Sequence, residues 1–134
     1  MRILVVDDDT GMSDLLTILL TPAFSEVIVA NSAPDGIRLA CQEKLSAIIL
    51  DLLLPELPGW EVCRTIREFS NVPILVLSAI DAPEIVAKAL DNGADDYLTK
   101  PVSSSTLIAR LNRLVRRQSL NANNSLFADA QRMP

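Results

Sequence analysis

The sequence contains no histidine. That removes Ser-His-Asp and Cys-His catalysis, and any phosphohistidine carried on this chain, because each needs an imidazole. Cysteine is nearly as scarce: Cys41 and Cys63 stand alone, and two isolated thiols match neither a zinc spacing nor a redox pair. They read as plain core or surface thiols. Aromatic residues make up only 4% of the 134 residues, so aliphatic side chains must build the core. Positive charge is also in deficit, and a net charge of -5 is the wrong sign for a face that grips nucleic-acid phosphates. No apolar run reaches the roughly 18 residues that span a bilayer, and Met1-Arg2 leads straight into a strand-like run rather than a signal peptide. The expectation is a cytoplasmic segment that binds neither membrane nor nucleic acid directly.

What is present is an apolar fraction of 49%, enough for one globular unit at this length. Apolar runs of strand length recur at Ile3 to Val6, Val27 to Ala30, Ala47 to Leu50, Ile74 to Leu77 and, more weakly, Tyr97-Leu98. Between them lie segments with helical spacing, about 11–20, 33–44, 59–69, 82–92 and 103–117. Several strands are apolar on successive residues rather than alternating, which implies cover on both faces and a parallel sheet. The fold class is α/β, three-layered and doubly wound, of flavodoxin-like (βα)5 type, with sheet order 2-1-3-4-5. Ser32 and Ser103 to Ser105 are positioned to cap helices, and Gly93 to end one in a left-handed turn. After Arg117 the text is polar and lacks a periodic stripe, so 118–134 reads as a flexible tail or linker behind a domain of residues 1–117. Leu126 and Phe127 are the residues of that tail with something to dock.

In such a sheet, ligands bind outside the carboxyl ends of the strands. LVVDDDTG places Asp7, Asp8 and Asp9 after the first strand; AIILD places Asp51 after the third, Ser78 follows the fourth and Lys100 the fifth. Carboxylates crowded there repel one another unless a cation sits among them. Oxygen-only ligands at an open site suit magnesium, which keeps several waters and takes few carboxylates. A cation beside a carboxylate, an amine and a hydroxyl is a set of parts for phosphoryl transfer, with Asp51 as the nucleophile. Asp9 is a candidate for capping the first helix or supporting the metal, and Trp60 for packing beside the site or touching a kinase.

LVVDDD, AIILDLLLPELPG, VPILVLSA and GADDYLTKP, in this order and spacing, resemble the receiver domain of two-component response regulators, over about residues 2–117. The resemblance implies a phosphorylatable switch charged by a sensor histidine kinase, which assists its own phosphorylation and dephosphorylation but turns over no external substrate. On it, Asp51 matches the phosphoacceptor, Asp7 and Asp8 the acidic pair around Mg2+, and Leu53 the residue lending its backbone carbonyl to the metal. Ser78 matches the hydroxyl and Lys100 the amine that take the phosphoryl oxygens, Pro101 the cis proline, and Tyr97 the aromatic switch that turns when Ser78 moves. GADDYLTKP followed by LIARLNRLVRR looks like the OmpR/PhoB subfamily, and VPILVLSA is similar to its KdpE-type, potassium-responsive branch. That subfamily implies a homodimer on phosphorylation, through the fourth helix, fifth strand and fifth helix, with Lys88, Asp95, Asp96, Arg110 and Arg117 on that face. It also implies a DNA-binding domain absent from this chain that controls transcription, the alternative being a standalone receiver.

Three departures from the pattern carry expectations. Val102 stands where phenylalanine is usual after Lys-Pro, which loosens packing under the fifth helix. Leu53 and Ile80 flank the site where many relatives carry polar groups; neither can orient a water, so hydrolysis of the aspartyl phosphate is expected to be slow. A phosphatase with an aspartyl-phosphate intermediate needs a second acid two residues after the nucleophile, and Leu53 occupies that position. The remaining rival is a receiver-like interaction module that is never phosphorylated.

Overall fold

The computed structural model describes residues 1–132, with side chains through Leu120. Five strands and five helices alternate: β1 (Arg2–Val6), α1 (Thr10–Leu20), β2 (Glu26–Ala30), α2 (Ala33–Gln42), β3 (Ala47–Leu50), α3 (Gly59–Arg67), β4 (Ile74–Ser78), α4 (Pro83–Asp91), β5 (Asp96–Thr99) and α5 (Ser104–Arg132). All strands run parallel, in the order β2-β1-β3-β4-β5. The expected fold class and strand order are therefore those observed.

Side chains alternate across a strand, and here each face meets a different set of helices. Ile3, Val5, Ala47, Ile49, Leu75 and Leu77 point to α1 and α5, where they meet Leu16, Leu20, Leu107, Leu111 and Leu114. Leu4, Val6, Ile48, Leu50, Ile74 and Val76 point the other way, to Ala33 and Ala40 of α2, Val62, Cys63 and Ile66 of α3, and Ala89 of α4. β3 is thus apolar at every position, and β1 and β4 at every position but their terminal Arg2 and Ser78, because both of their faces are covered.

Local signals set the helix ends. Ser32 accepts the Asp35 amide at 3.2 Å, and Ser103 accepts the Thr106 amide at 3.2 Å, satisfying donors that a first helical turn leaves free. Asp9 accepts the Met12 amide at 3.1 Å and caps α1. Gly93 follows α4 with φ of +114°, the left-handed region in which glycine carries no Cβ penalty. The sequence reading ends the last helix at Arg117, whereas α5 continues to Arg132. No glycine or proline stands between Val102 and Met133 to break it. The side chains beyond Leu120, Leu126 and Phe127 included, lie outside the described residues.

Two packing features make separate predictions. A cavity of about 210 Å³ lies between α1 and the start of α5, lined by Leu15, Leu16, Leu19, Leu77, Val102 and Leu107 among others. It occupies the side where the short Val102 replaces the expected phenylalanine. Filling such a void recovers about 24 cal/mol per Å³, so Val102→Phe should stabilise the fold by about 1 kcal/mol and raise Tm by about 2–6 °C. A lowered Tm would mean that the cavity cannot take the ring.

The two thiols should also differ sharply. Cys63 is fully buried, and burial pushes its pKa up to about 12 against the pull of the nearby Arg67 charge; Cys41 is exposed. Only thiolate reacts with an alkylating reagent. One modified cysteine per folded chain at mildly alkaline pH, and two after denaturation, are the expected counts by mass.

Candidate functional site

The strand register brings the acids together. Val6 pairs with Leu50, so Asp7 and Asp51, next along each strand, emerge side by side at the carboxyl edge of the sheet, and the Asp51 amide donates to the Val6 carbonyl at 3.0 Å. Ser78 pairs with Thr99 at the end of β4 and β5, which puts Lys100 one step beyond. The Lys100-Pro101 peptide is cis, and the Lys100 Nζ lies between the two acids, 3.2 Å from Asp7 Oδ2 and 3.1 Å from Asp51 Oδ2. The ammonium is partly covered and both carboxylates are almost wholly so.

The remaining oxygens are also held. Asp7 Oδ1 accepts the Asp9 amide at 2.9 Å, and Asp51 Oδ1 accepts the Leu53 amide at 3.0 Å. Burial raises the Asp7 carboxyl above its ordinary value; the Asp9 hydrogen bond and the Lys100 charge oppose that rise and the Asp51 charge adds to it. Burial lowers Lys100, but the Asp51 hydrogen bond and the charges of Asp51 and Asp7 outweigh it, so the ammonium titrates above its ordinary value. Asp8 is exposed.

A family model for the response regulator receiver domain matches residues 3–112. The chain belongs to the response regulator receiver family. The receiver is 36% identical over 123 residues to the transcriptional regulatory protein AfsQ1 of Streptomyces coelicolor, covering 92% of this chain and 55% of that protein. It therefore spans about half the length of the curated relatives it matches. Among solved structures it is similar to the response regulator DrrB, a Thermotoga maritima OmpR/PhoB homolog, with 32% identity and a TM-score of 0.77 over 87% of this chain and 53% of that one. It is also similar to the receiver domain of the sensor histidine kinase PA1611 of Pseudomonas aeruginosa PAO1, solved with magnesium coordinated in the active-site cleft. That match has 28% identity and a TM-score of 0.78 over 85% of this chain and 96% of that one.

In this receiver the residues present fit a magnesium ion through the chemistry of their donors. Mg2+ needs one or two carboxylates and retains its waters; Asp7 and Asp51 supply two from adjoining strands, and the Leu53 carbonyl follows two residues on. No group of three or more acidic, thiol or imidazole side chains is clustered for a metal among the described residues. That agrees with Lys100 lying between two of the acids while Asp8 is exposed.

The proposed switch residues sit around the loop after β4. Ser78 is completely buried, and its Oγ accepts the Ile80 amide at 3.3 Å. The Tyr97 hydroxyl donates to the Ile80 carbonyl at 2.6 Å. Burial raises the Tyr97 phenol, offset by the Ser78 hydroxyl and reinforced by the Asp51 and Asp81 charges.

Within the chain, the charged residues assigned to the dimer face meet different partners. Asp96 of β5 takes Arg110 of α5 through both oxygens, at 3.0 and 2.9 Å. Asp95 instead pairs with Arg67 at the end of α3, Lys88 lies 4.4 Å from the centre of the Trp60 ring, and Arg117 is exposed. Two supporting residues were given no role by the sequence. Ser13 donates to the Asp7 and Asp9 carbonyls at 3.3 and 3.0 Å, and Asn31 donates to the Asp7 carbonyl at 2.8 Å, fixing the turn that carries the acids. Only the position of Asn31 at the end of the second strand hinted at this.

Proposed function

We propose that this chain is the phosphoacceptor switch of a cytoplasmic two-component regulator. The observation that carries the reading is the Lys100 ammonium within 3.2 Å of both Asp7 and Asp51, with the Ser78 hydroxyl on the neighbouring strand end. A sensor histidine kinase is the donor. An Asp51 carboxylate oxygen attacks the phosphorus, an O–P bond forms, the P–N bond to the donor imidazole breaks, and the imidazole leaves with its electron pair. Asp7, Asp8, Asp51 and the Leu53 carbonyl would hold Mg2+, which supplies charge neutralisation for the transferring oxygens. Lys100 and Ser78 bind those oxygens once they arrive, the ammonium by charge and the hydroxyl by donation.

The backbone on either side of the Ile80 Cα links chemistry to conformation. The Ile80 amide is bonded to Ser78 and the Ile80 carbonyl to Tyr97. When Ser78 turns to donate to a phosphoryl oxygen, it gives up the Ile80 amide, and a shift of the backbone about Ile80 reaches Tyr97 through the 2.6 Å bond to the Ile80 carbonyl. Tyr97 is tethered to this loop, so coupling through the backbone accompanies the turning of its ring as Ser78 moves. The change biases α4, β5 and α5 toward a homodimer. With residues 118–134 as linker, the dimer would control transcription through a DNA-binding domain outside this chain.

A small phosphodonor with magnesium tests the reading. The chain should gain the mass of one phosphoryl group, labile as an acyl phosphate is, and the fluorescence of its single tryptophan, Trp60, should change as Lys88, which lies over the ring, is displaced. Absence of any mass gain would favour an interaction module that is never phosphorylated.

The lifetime of the phosphorylated form should be long. Leu53 is 55% exposed and half-buried Ile80 stands near it, both in the apolar cleft formed with Leu57, Trp60 and Ile85. Neither side chain has an atom that can orient an attacking water. Leu53→Asn or Ile80→Gln should shorten the lifetime by roughly tenfold or more, since a positioned polar group contributes about that much or above to such a step. Equal decay in the variants and the unaltered chain would refute the argument.

A further inference from the structure

Arg67, in the last turn of α3, directs all three nitrogens of its guanidinium to acceptors of its own chain. Its Nε and one terminal nitrogen donate to the Gly93 carbonyl at 3.1 and 2.8 Å. That same nitrogen reaches Asp95 Oδ2 at 2.8 Å, and the other donates to the Ser70 and Val72 carbonyls at 3.2 and 2.7 Å. A rigid planar fork is what allows one side chain to span so many acceptors. Gly93 is matched to it, since a Cβ there would lie 2.6 Å from Arg67 Cγ. Asp95 extends the contact into the sheet, its Oδ2 accepting the Ile74 amide at 2.8 Å while its own amide donates to the Ile74 carbonyl at 2.8 Å. Asp96, the next residue, carries Arg110 of α5.

The two ends of α4 are held very differently. Its C-terminal end runs into the turn gripped by Arg67. Its N-terminal end starts at Ala82 with no side-chain cap, and of its residues only Ala89 is buried. That loose end adjoins the Ser78–Ile80 loop, where phosphorylation acts.

We propose that Arg67 is a positioning residue that pins the turn between α4 and β5, so that α4 pivots about this clamp and the α4, β5 and α5 face is aligned for self-association. The inference rests on the switch reading above, and it assigns control of the face to a residue on α3, outside it. Arg67 touches neither phosphate nor metal ligands, so binding of a phosphate mimic and assembly should separate.

The test uses beryllofluoride with magnesium on the intact chain, reading Trp60 fluorescence for binding, sedimentation for self-association and hydrogen exchange for the turn. Arg67→Gln should bind beryllofluoride within about twofold of the unaltered chain, self-associate at least tenfold more weakly, and exchange the Ile74 and Asp95 amides at least tenfold faster. Arg67→Lys should not restore association, because one ammonium cannot span Gly93, Val72 and Asp95. Unchanged association in Arg67→Gln would overturn the proposal while leaving the switch reading intact, and so would a loss of association matched by an equal loss of beryllofluoride binding. Failure of the unaltered chain to associate on binding beryllofluoride would overturn the dimerisation reading and this inference together. Should Arg67→Gln not fold, Arg67→Lys, which keeps the charge but not the fork, carries the same comparison.

Discussion

Asp51→Asn is expected to take up no phosphoryl group from any donor, with its fold intact. The amide oxygen can still accept the Leu53 amide that Asp51 Oδ1 holds at 3.0 Å, so the loop after β3 keeps its anchor. The nucleophile does not survive the change, because an amide oxygen is a far weaker nucleophile than a carboxylate and an acyl phosphate cannot form on it. The loss should therefore be complete, whereas changes at supporting positions only slow the step. Phosphodonor treatment followed by mass analysis, with circular dichroism to establish folding, reads both halves. Phosphoryl uptake by folded Asp51→Asn at an undiminished rate would move the acceptor elsewhere, and Asp7, the other nearly buried acid of the pocket, would be the first candidate.

Much of this site was legible in the sequence because a parallel sheet turns chain order into geometry. Asp7, Asp51, Ser78 and Lys100 each stand at or just past the end of a strand-length apolar run, and strand register alone carries them to one edge. Asp9 was ambiguous, since a helix cap and a metal support ask for the same residue type; its 3.1 Å bond to the Met12 amide identifies it as the cap. The roles of Ser13, Asn31 and Arg67 were not legible, because each acts on backbone carbonyls, and a carbonyl's need for a donor leaves no mark on residue identity. The charged residues of the last strand and helix were the least readable. Lys88, Asp95 and Asp96 are ordinary surface types, and which cation Asp95 meets depends on the path of the turn at Gly93, three-dimensional information that spacing does not carry. The end of α5 was misjudged for a related reason. A polar segment without an apolar stripe looks unstructured, yet with nothing to break it a helix already nucleated by Leu107, Leu111 and Leu114 can propagate one hydrogen bond at a time.

Lys100→Met should slow phosphoryl transfer by roughly 100- to 1,000-fold, the scale seen when one preorganised donor is removed from developing negative charge, and at the same time bind magnesium more tightly. The second effect follows from the geometry: ammonium and metal ion compete for Asp7 and Asp51, which Nζ now holds at 3.2 and 3.1 Å. The pH dependence fixes the sign. Lys100 titrates above its ordinary 10.5 in the folded chain, so the stability it contributes is fully present below 10.5 and is lost as pH rises through the raised value. Asp7 titrates above its ordinary 3.8, so the folded chain binds that proton more tightly than the unfolded one, and stability falls as pH climbs from 3.8 through the raised value. Removing the ammonium takes away an opposing charge and lifts Asp7 further. The stability gap between Lys100→Met and the unaltered chain should therefore widen as pH rises out of the acid range, and added magnesium should narrow it by replacing the missing charge. Denaturation at several pH values with and without the ion measures this, beside a metal titration read by Trp60. If Lys100→Met gained nothing in magnesium affinity, the ammonium would not be sharing the two carboxylates with a cation, and the electrostatic basis of the pocket would have to be sought in Asp8 instead.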